Sequence, residues 1–191
     1  MNKGEMMERQ QSQKEKSLAW FKLADLIARG EREKALNVFR LLSHSLPDRA
    51  YVLQLEGDML WHLEDKGCVE KYKQAAFLYH KEKRWIDAVA IYEHLFSQNP
   101  ESGETLAQLM LLYALLDWQE KFIERYKILL QLFHDHLISE LQVEKLISDV
   151  IQTVVDANDS AVSIWLGAWV DGLCADLPES MATRLSIICK A

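Results

Sequence analysis

AAFLYHKEKRWIDAVAIYEHLFSQNP, residues 75–100, is the stretch on which the fold turns. Apolar residues recur at spacings of three and four on both sides of the charged break Lys81-Glu82-Lys83-Arg84, and the second run stops at Asn99-Pro100. This is the pattern of two amphipathic helices joined by a tight turn. In the second helix Ala88, Tyr92 and Leu95 set out a small residue, an aromatic four later and an aliphatic three after that. The triplet recurs as Ala35, Phe39, Leu42, as Cys68, Tyr72, Ala75 and as Phe122, Tyr126, Leu129, in steps of 33, 20 and 34 residues. A repeat of this length points to stacked helical units.

Working outward, the 191 residues include only seven Gly and three Pro, and 49% are hydrophobic, a composition that favours packed helices over a turn-rich β fold. Pro47, Pro100 and Pro178 punctuate helices rather than interrupt them. The periodicity predicts helices at 17–29, 32–45, 49–63, 67–82, 85–98, 102–116, 119–134, 139–156, 159–175 and 178–189. Residues 1–16 are polar and Gln-rich and read as a mobile arm. Residues 17–134 carry the repeats, and residues 135–191 are amphipathic without the triplet and read as capping helices.

The net charge of −7 is concentrated near the C-terminus, where residues 135–191 hold nine acids against Lys145, Arg184 and Lys190. That balance disfavours nucleic acid and anionic membrane surfaces as partners. The N-terminal residues lack the apolar core of a signal peptide, and no segment offers about 18 uninterrupted apolar residues, so a cytoplasmic location without membrane insertion is expected. The longest apolar run, Leu106–Leu116, reads as a buried helix.

Chemistry-bearing constellations are sparse. Cys68, Cys174 and Cys189 form no CxxC pair and read as buried thiols of a reduced compartment. His134-Asp135-His136 lacks the spacing that places two ligands on one helix face, and Cys68, a packing position, is not read as a nucleophile for His62 or His80. Neither a phosphate loop, a GxSxG elbow nor an HExxH motif occurs. No catalytic residue, metal or cofactor is assigned, and the chain is not read as an enzyme.

The triplet spacing, with Pro47 and Pro100 each twelve residues after Ala35 and Ala88 and with Tyr79 and Tyr113 a further 34 apart, resembles the tetratricopeptide repeat family. The resemblance covers residues 17–134. It implies an all-α, right-handed superhelix of helix pairs closed by a C-terminal helical cap. The 20-residue step implies that the helix near 67–82 closes one pair and opens the next, or that one helix is missing, as in the related arrays of SNAP-type adaptors.

The resemblance also implies a concave face built from the first helix of each pair. Carried onto this sequence, that face includes Trp20, Ile27, Leu53, Leu60, Trp61, Lys73, Phe77, Lys81, Leu111 and Leu115. It is largely apolar. Only Lys73 and Lys81 fit the carboxylate clamp of the members that bind heat-shock chaperones, and Phe77 stands where that clamp has Asn, so no such clamp is expected. The expected function is a non-catalytic adaptor or chaperone, similar to small bacterial secretion chaperones, that holds a peptide or amphipathic helix of a protein partner in an apolar groove. The alternative is a regulatory or self-assembling scaffold that homodimerises through its C-terminal helices, with Trp165 and Trp169 at the interface.

Overall fold

Gly30 opens the first turn because it takes φ +69°, a left-handed conformation that costs glycine nothing. The computed structural model in which this is seen describes residues 17–156, together with 165, 168, 169, 172, 177–179 and 183. Eight helices lie between 17 and 156: α1 (17–28), α2 (Arg32–Ser43), α3 (Arg49–His62), α4 (Cys68–Lys81), α5 (Trp85–Gln98), α6 (Gly103–Leu115), α7 (Gln119–His134) and α8 (Glu140–Asp156). The described residues contain no strand, so the chain is all-α there. Each helix matches its predicted span within two residues. The arm at 1–16 and most of the helices expected at 159–175 and 178–189 lie outside the described residues.

One turn geometry recurs. Gly30, Glu64, Lys83, Asp117 and His136 all have φ between 55° and 69°, and the first pair and the second are each 34 residues apart. At four of these turns the following N–H reaches back five residues: Glu31 to the Leu26 carbonyl, Asp65 to Leu60, Trp118 to Tyr113 and Leu137 to Leu132, at 2.8–2.9 Å. The left-handed residue itself donates to the carbonyl three before it, as Glu64 does to Trp61. This paired closure satisfies carbonyls that a helix end would otherwise leave bare, and it reverses the chain in very few residues.

All twelve triplet residues are buried. No helix stands between α4, which carries Cys68, Tyr72 and Ala75, and α5, which carries Ala88, Tyr92 and Leu95. The 20-residue step is therefore one helix and one turn. At this place the described residues divide into two compact units, between Lys81 and Glu82.

The first unit contains α1 to α4. Leu23 and Leu26 of α1 meet Ala35, Phe39 and Leu42 of α2 and Met59 of α3 in one cluster. Burial of each large side chain there contributes about 1.5–3 kcal/mol. Polar ties then fix α3 against α4: the Tyr72 hydroxyl donates to Asp58 Oδ1 at 2.7 Å, the Tyr79 hydroxyl to Gln54 Oε1 at 2.9 Å, and Lys71 pairs with Glu56 at 3.1 Å. Arg32, at the start of α2, bonds Asp65 in the α3–α4 turn at 2.7 Å through Nε. The Gly67 N–H first, and that guanidinium second, hold the Asp65 carboxyl below its usual range.

Gly57 lets the two helices close. A Cβ at that position would stand 2.9 Å from Cδ1 and Cε1 of the Tyr72 ring, and the ring is tethered by its bond to Asp58. Helix propensity alone favours Gly57→Ala by about 1 kcal/mol, whereas an overpacked core loses about 1–3 kcal/mol. We expect the steric term to win. A urea titration should show a lower midpoint at unchanged slope, and a raised midpoint would contradict the close approach.

In the second unit α6 is the centre. It touches α5, α7 and α8, and nine of its thirteen residues are buried, from Thr105 to Ala114 with Gln108 half-exposed. A helix apolar nearly all round needs neighbours on several sides, which explains the run at Leu106–Leu116. On α7, Phe122 packs edge-on against Trp165 and Trp169, with centroids at 5.2 and 4.8 Å, and Tyr126 packs against Trp169 at 5.0 Å. Arg125 of α7 spans to α5, where its Nη2 lies 2.9 and 2.8 Å from the two oxygens of Glu93 and its guanidinium sits 4.6 Å from the Phe96 ring centroid. The Tyr113 hydroxyl of α6 donates to the same carboxylate.

Two buried phenols set an alkaline limit. Burial first, and the Glu104 carboxylate second, push Tyr92 up to about 12 from an ordinary 10. Burial and the Asp58 bond raise Tyr72 as well. A raised folded-state value gives stability that is complete below the unfolded value and is lost as pH rises through the folded one. Stability should therefore hold to about pH 10 and fall between about pH 10 and 12. Absorbance near 295 nm, followed beside circular dichroism, should show Tyr72 and Tyr92 ionising only with unfolding; their ionisation in folded protein would refute the assignment.

Candidate binding cleft

The two helices that frame the main cleft are started by their own side chains. Ser102 accepts the Thr105 N–H at 3.3 Å and so caps α6. At α8, Gln142 Oε1 accepts the Ser139 N–H at 2.9 Å, and Ser139 Oγ in turn accepts the Gln142 N–H at 3.4 Å, a reciprocal capping box. Helix α7 returns the chain between them. Gly103, the first residue of α6, faces Leu146 and Ile138 at the start of α8, so α6 and α8 run side by side in the same direction.

Between them lies a half-open cleft of about 560 Å³. One wall is Glu101, Glu104, Ala107, Gln108 and Leu111, and the other is Gln142, Lys145, Leu146, Asp149, Val150 and Thr153. Both sets step by three and four residues, which is one face of each helix. Leu137 and Ile138 close the end near the α7–α8 turn. The floor is apolar, and among the described residues the rim carries three carboxylates and the cation Lys145.

The residues expected to form a groove are distributed as follows. Trp20 and Ile27 of α1 are half-buried and pack on the core of the first unit. Leu53 is half-buried, and Leu60, at 5% exposure, is a core residue. Trp61 is 38% and Phe77 63% exposed, Lys81 is exposed and Lys73 half-buried. These eight belong to the first unit and the other two to the second. Leu111, at 7% exposure, forms part of the cleft floor, so it is a packing residue with one edge uncovered. Leu115 is half-buried and does not line the cleft.

Sequence reasoning missed the α8 wall, because residues 139–156 lack the triplet and were read as a cap. The signal was present: Gln142, Lys145, Leu146, Asp149, Val150 and Thr153 share a face in the sequence itself. Also missed was the Glu93–Arg125–Tyr113 cluster, whose members are 12 to 32 residues apart with no motif to connect them.

Among the described residues no group of three or more His, Cys, Asp or Glu could hold a metal ion, and His134, Asp135 and His136 are all exposed. Cys68 is buried in its packing position. None of the described helices is long and apolar enough to cross a membrane. Fold and cleft together define an all-helical protein with an open, acid-rimmed cleft between two co-directional helices. Compared with protein-family models, curated proteins and solved structures, the chain matches nothing.

Proposed function

We propose that this is a non-catalytic adaptor or chaperone, built of helix pairs of the tetratricopeptide kind, and that it holds a peptide or amphipathic helix of a protein partner in the α6–α8 cleft. The observation that carries the reading is the cleft itself. Two helical faces diverge over an apolar floor and leave a volume of about 560 Å³, within the range of ligand-sized sites. The repeated turn geometry and the buried triplets support the family resemblance. The dimerising scaffold draws no support from Trp165 and Trp169, whose rings are engaged with Phe122 and Tyr126 of the same chain.

Photo-crosslinking side chains placed at Gln108 and Thr153, inside the cleft, should capture the partner in native cells. The same group at Glu120 and Lys127, exposed on α7, should not. Equal capture at all four positions, or capture from α7 alone, would reject the cleft as the binding site.

A further inference from the structure

The cleft's charge is lopsided in a way that its apolar floor does not require. Glu101 and Glu104 stand at one end of the α6 wall and Asp149 on the α8 wall, and among the described residues that line the cleft Lys145 is the cation opposed to them. Neither Glu101 nor Asp149 has an ion-pair partner among the described residues. Helix α8 as a whole carries Glu140, Glu144, Asp149 and Asp156 against Lys145, four acids to one base. Like charges gathered on the rim of a half-open cleft reinforce one another's field, and such a field favours cations.

The apolar part has its own dimension. A cavity of about 150 Å³ takes one benzene-sized group. The 560 Å³ here therefore admits the side chains of about three or four residues. That is the anchor set of two helical turns, spaced i, i+3 or i+4, and i+7. The apolar surface also continues past the cleft end, where Leu137 is 54% and Leu141 76% exposed.

Resting on the cleft reading above, we propose that the occupant is a basic amphipathic helix. Its apolar stripe seats on Leu111, Leu146 and Val150 and reaches Leu137 and Leu141. Lysines or arginines along the edges of that stripe meet Glu101, Glu104 and Asp149. Apolar contact supplies most of the affinity, and the carboxylates supply the choice of partner and the rate of encounter. An acidic or neutral helix of equal hydrophobicity is discriminated against by repulsion or by desolvation of the Glu101 and Asp149 carboxylates.

The test uses three fluorescent 14-residue amphipathic peptides that share one Leu stripe and flank it with Lys, Gln or Glu. Anisotropy should show the Lys peptide binding about tenfold or more tighter than the Glu peptide, with the difference shrinking as salt is raised. The triple variant Glu101→Lys, Glu104→Lys, Asp149→Lys should reverse the order. A control of equal charge change, Glu64→Lys, Glu120→Lys, Glu124→Lys, made at exposed acids that do not line the cleft, should preserve it. Methyl NMR signals of Leu111 and Leu146 report occupancy independently of affinity. If those methyls shift with all three peptides at equal affinity, the basic partner is refuted and the cleft reading stands. If no peptide shifts them, both fail. A Lys preference lost equally in the control variant would refute the specific role of Glu101, Glu104 and Asp149.

Discussion

Phe122→Ala is expected to lose about 3–5 kcal/mol, the scale for an aromatic removed from a packed core. Phe122 is fully buried on α7 and its ring makes T-shaped contacts with Trp165 and Trp169. Truncation therefore removes both its own burial and the packing of two indoles, whose T-shaped contacts add about 0.5–1.5 kcal/mol per pair beyond area. Total stability for a domain is about 5–15 kcal/mol, so the variant sits near the edge of folding. At about 2–4 °C per kcal/mol for a chain of this size, the melting temperature should fall by at least 6 °C or so. Tryptophan emission should shift to the red in the same transition. A fall of less than about 2 °C would mean that the α7 face is not packed as described.

The second large effect separates floor from rim. Leu111→Glu should cost about 3–5 kcal/mol, because it places a carboxylate without a cation at a site only 7% exposed, in a cleft already lined by Glu104 and Asp149. Leu137→Glu, at a residue 54% exposed on the same cleft, should change stability by no more than about 0.5 kcal/mol and still impair peptide capture. The pair can be read by circular dichroism before any partner is in hand. A buried carboxylate has a raised proton affinity, so the deficit of Leu111→Glu relative to the parent should shrink as pH falls toward the carboxyl range. A Leu111→Glu variant with parental melting would move that residue from the core to the open wall. The groove would then be wider than described.

Trp61 gives a contrast from the first unit. It was assigned to the same concave face as Leu111, yet it is 38% exposed where Leu111 is buried. The sequence does not separate them, since both are large apolar residues at helical spacing on first helices. What separates them is the surroundings: α6 is covered by three helices, and Leu111 is a buried residue with one edge on the cleft.

Read alone, the sequence determined the eight described helices, their turns and the triplet residues of the core. The reason is local: apolar period, scarce glycine and proline, and the small–aromatic–aliphatic triplet act within one or two helical turns and leave the same imprint in every repeat. Ala88, Tyr92 and Leu95 could be placed inside from their spacing, and the buried state of all four triplets follows from the same rule. Tertiary structure alone decided which faces remain open. The α8 wall of the cleft, the Arg125 bridge to Glu93 and the docking of Trp165 and Trp169 on Phe122 join residues 31 to 52 positions apart. A helix face is the same string of residues whether a neighbour covers it or not. Only the packing of α8 beside α6 makes one face of each a wall and leaves their acids on a shared cleft.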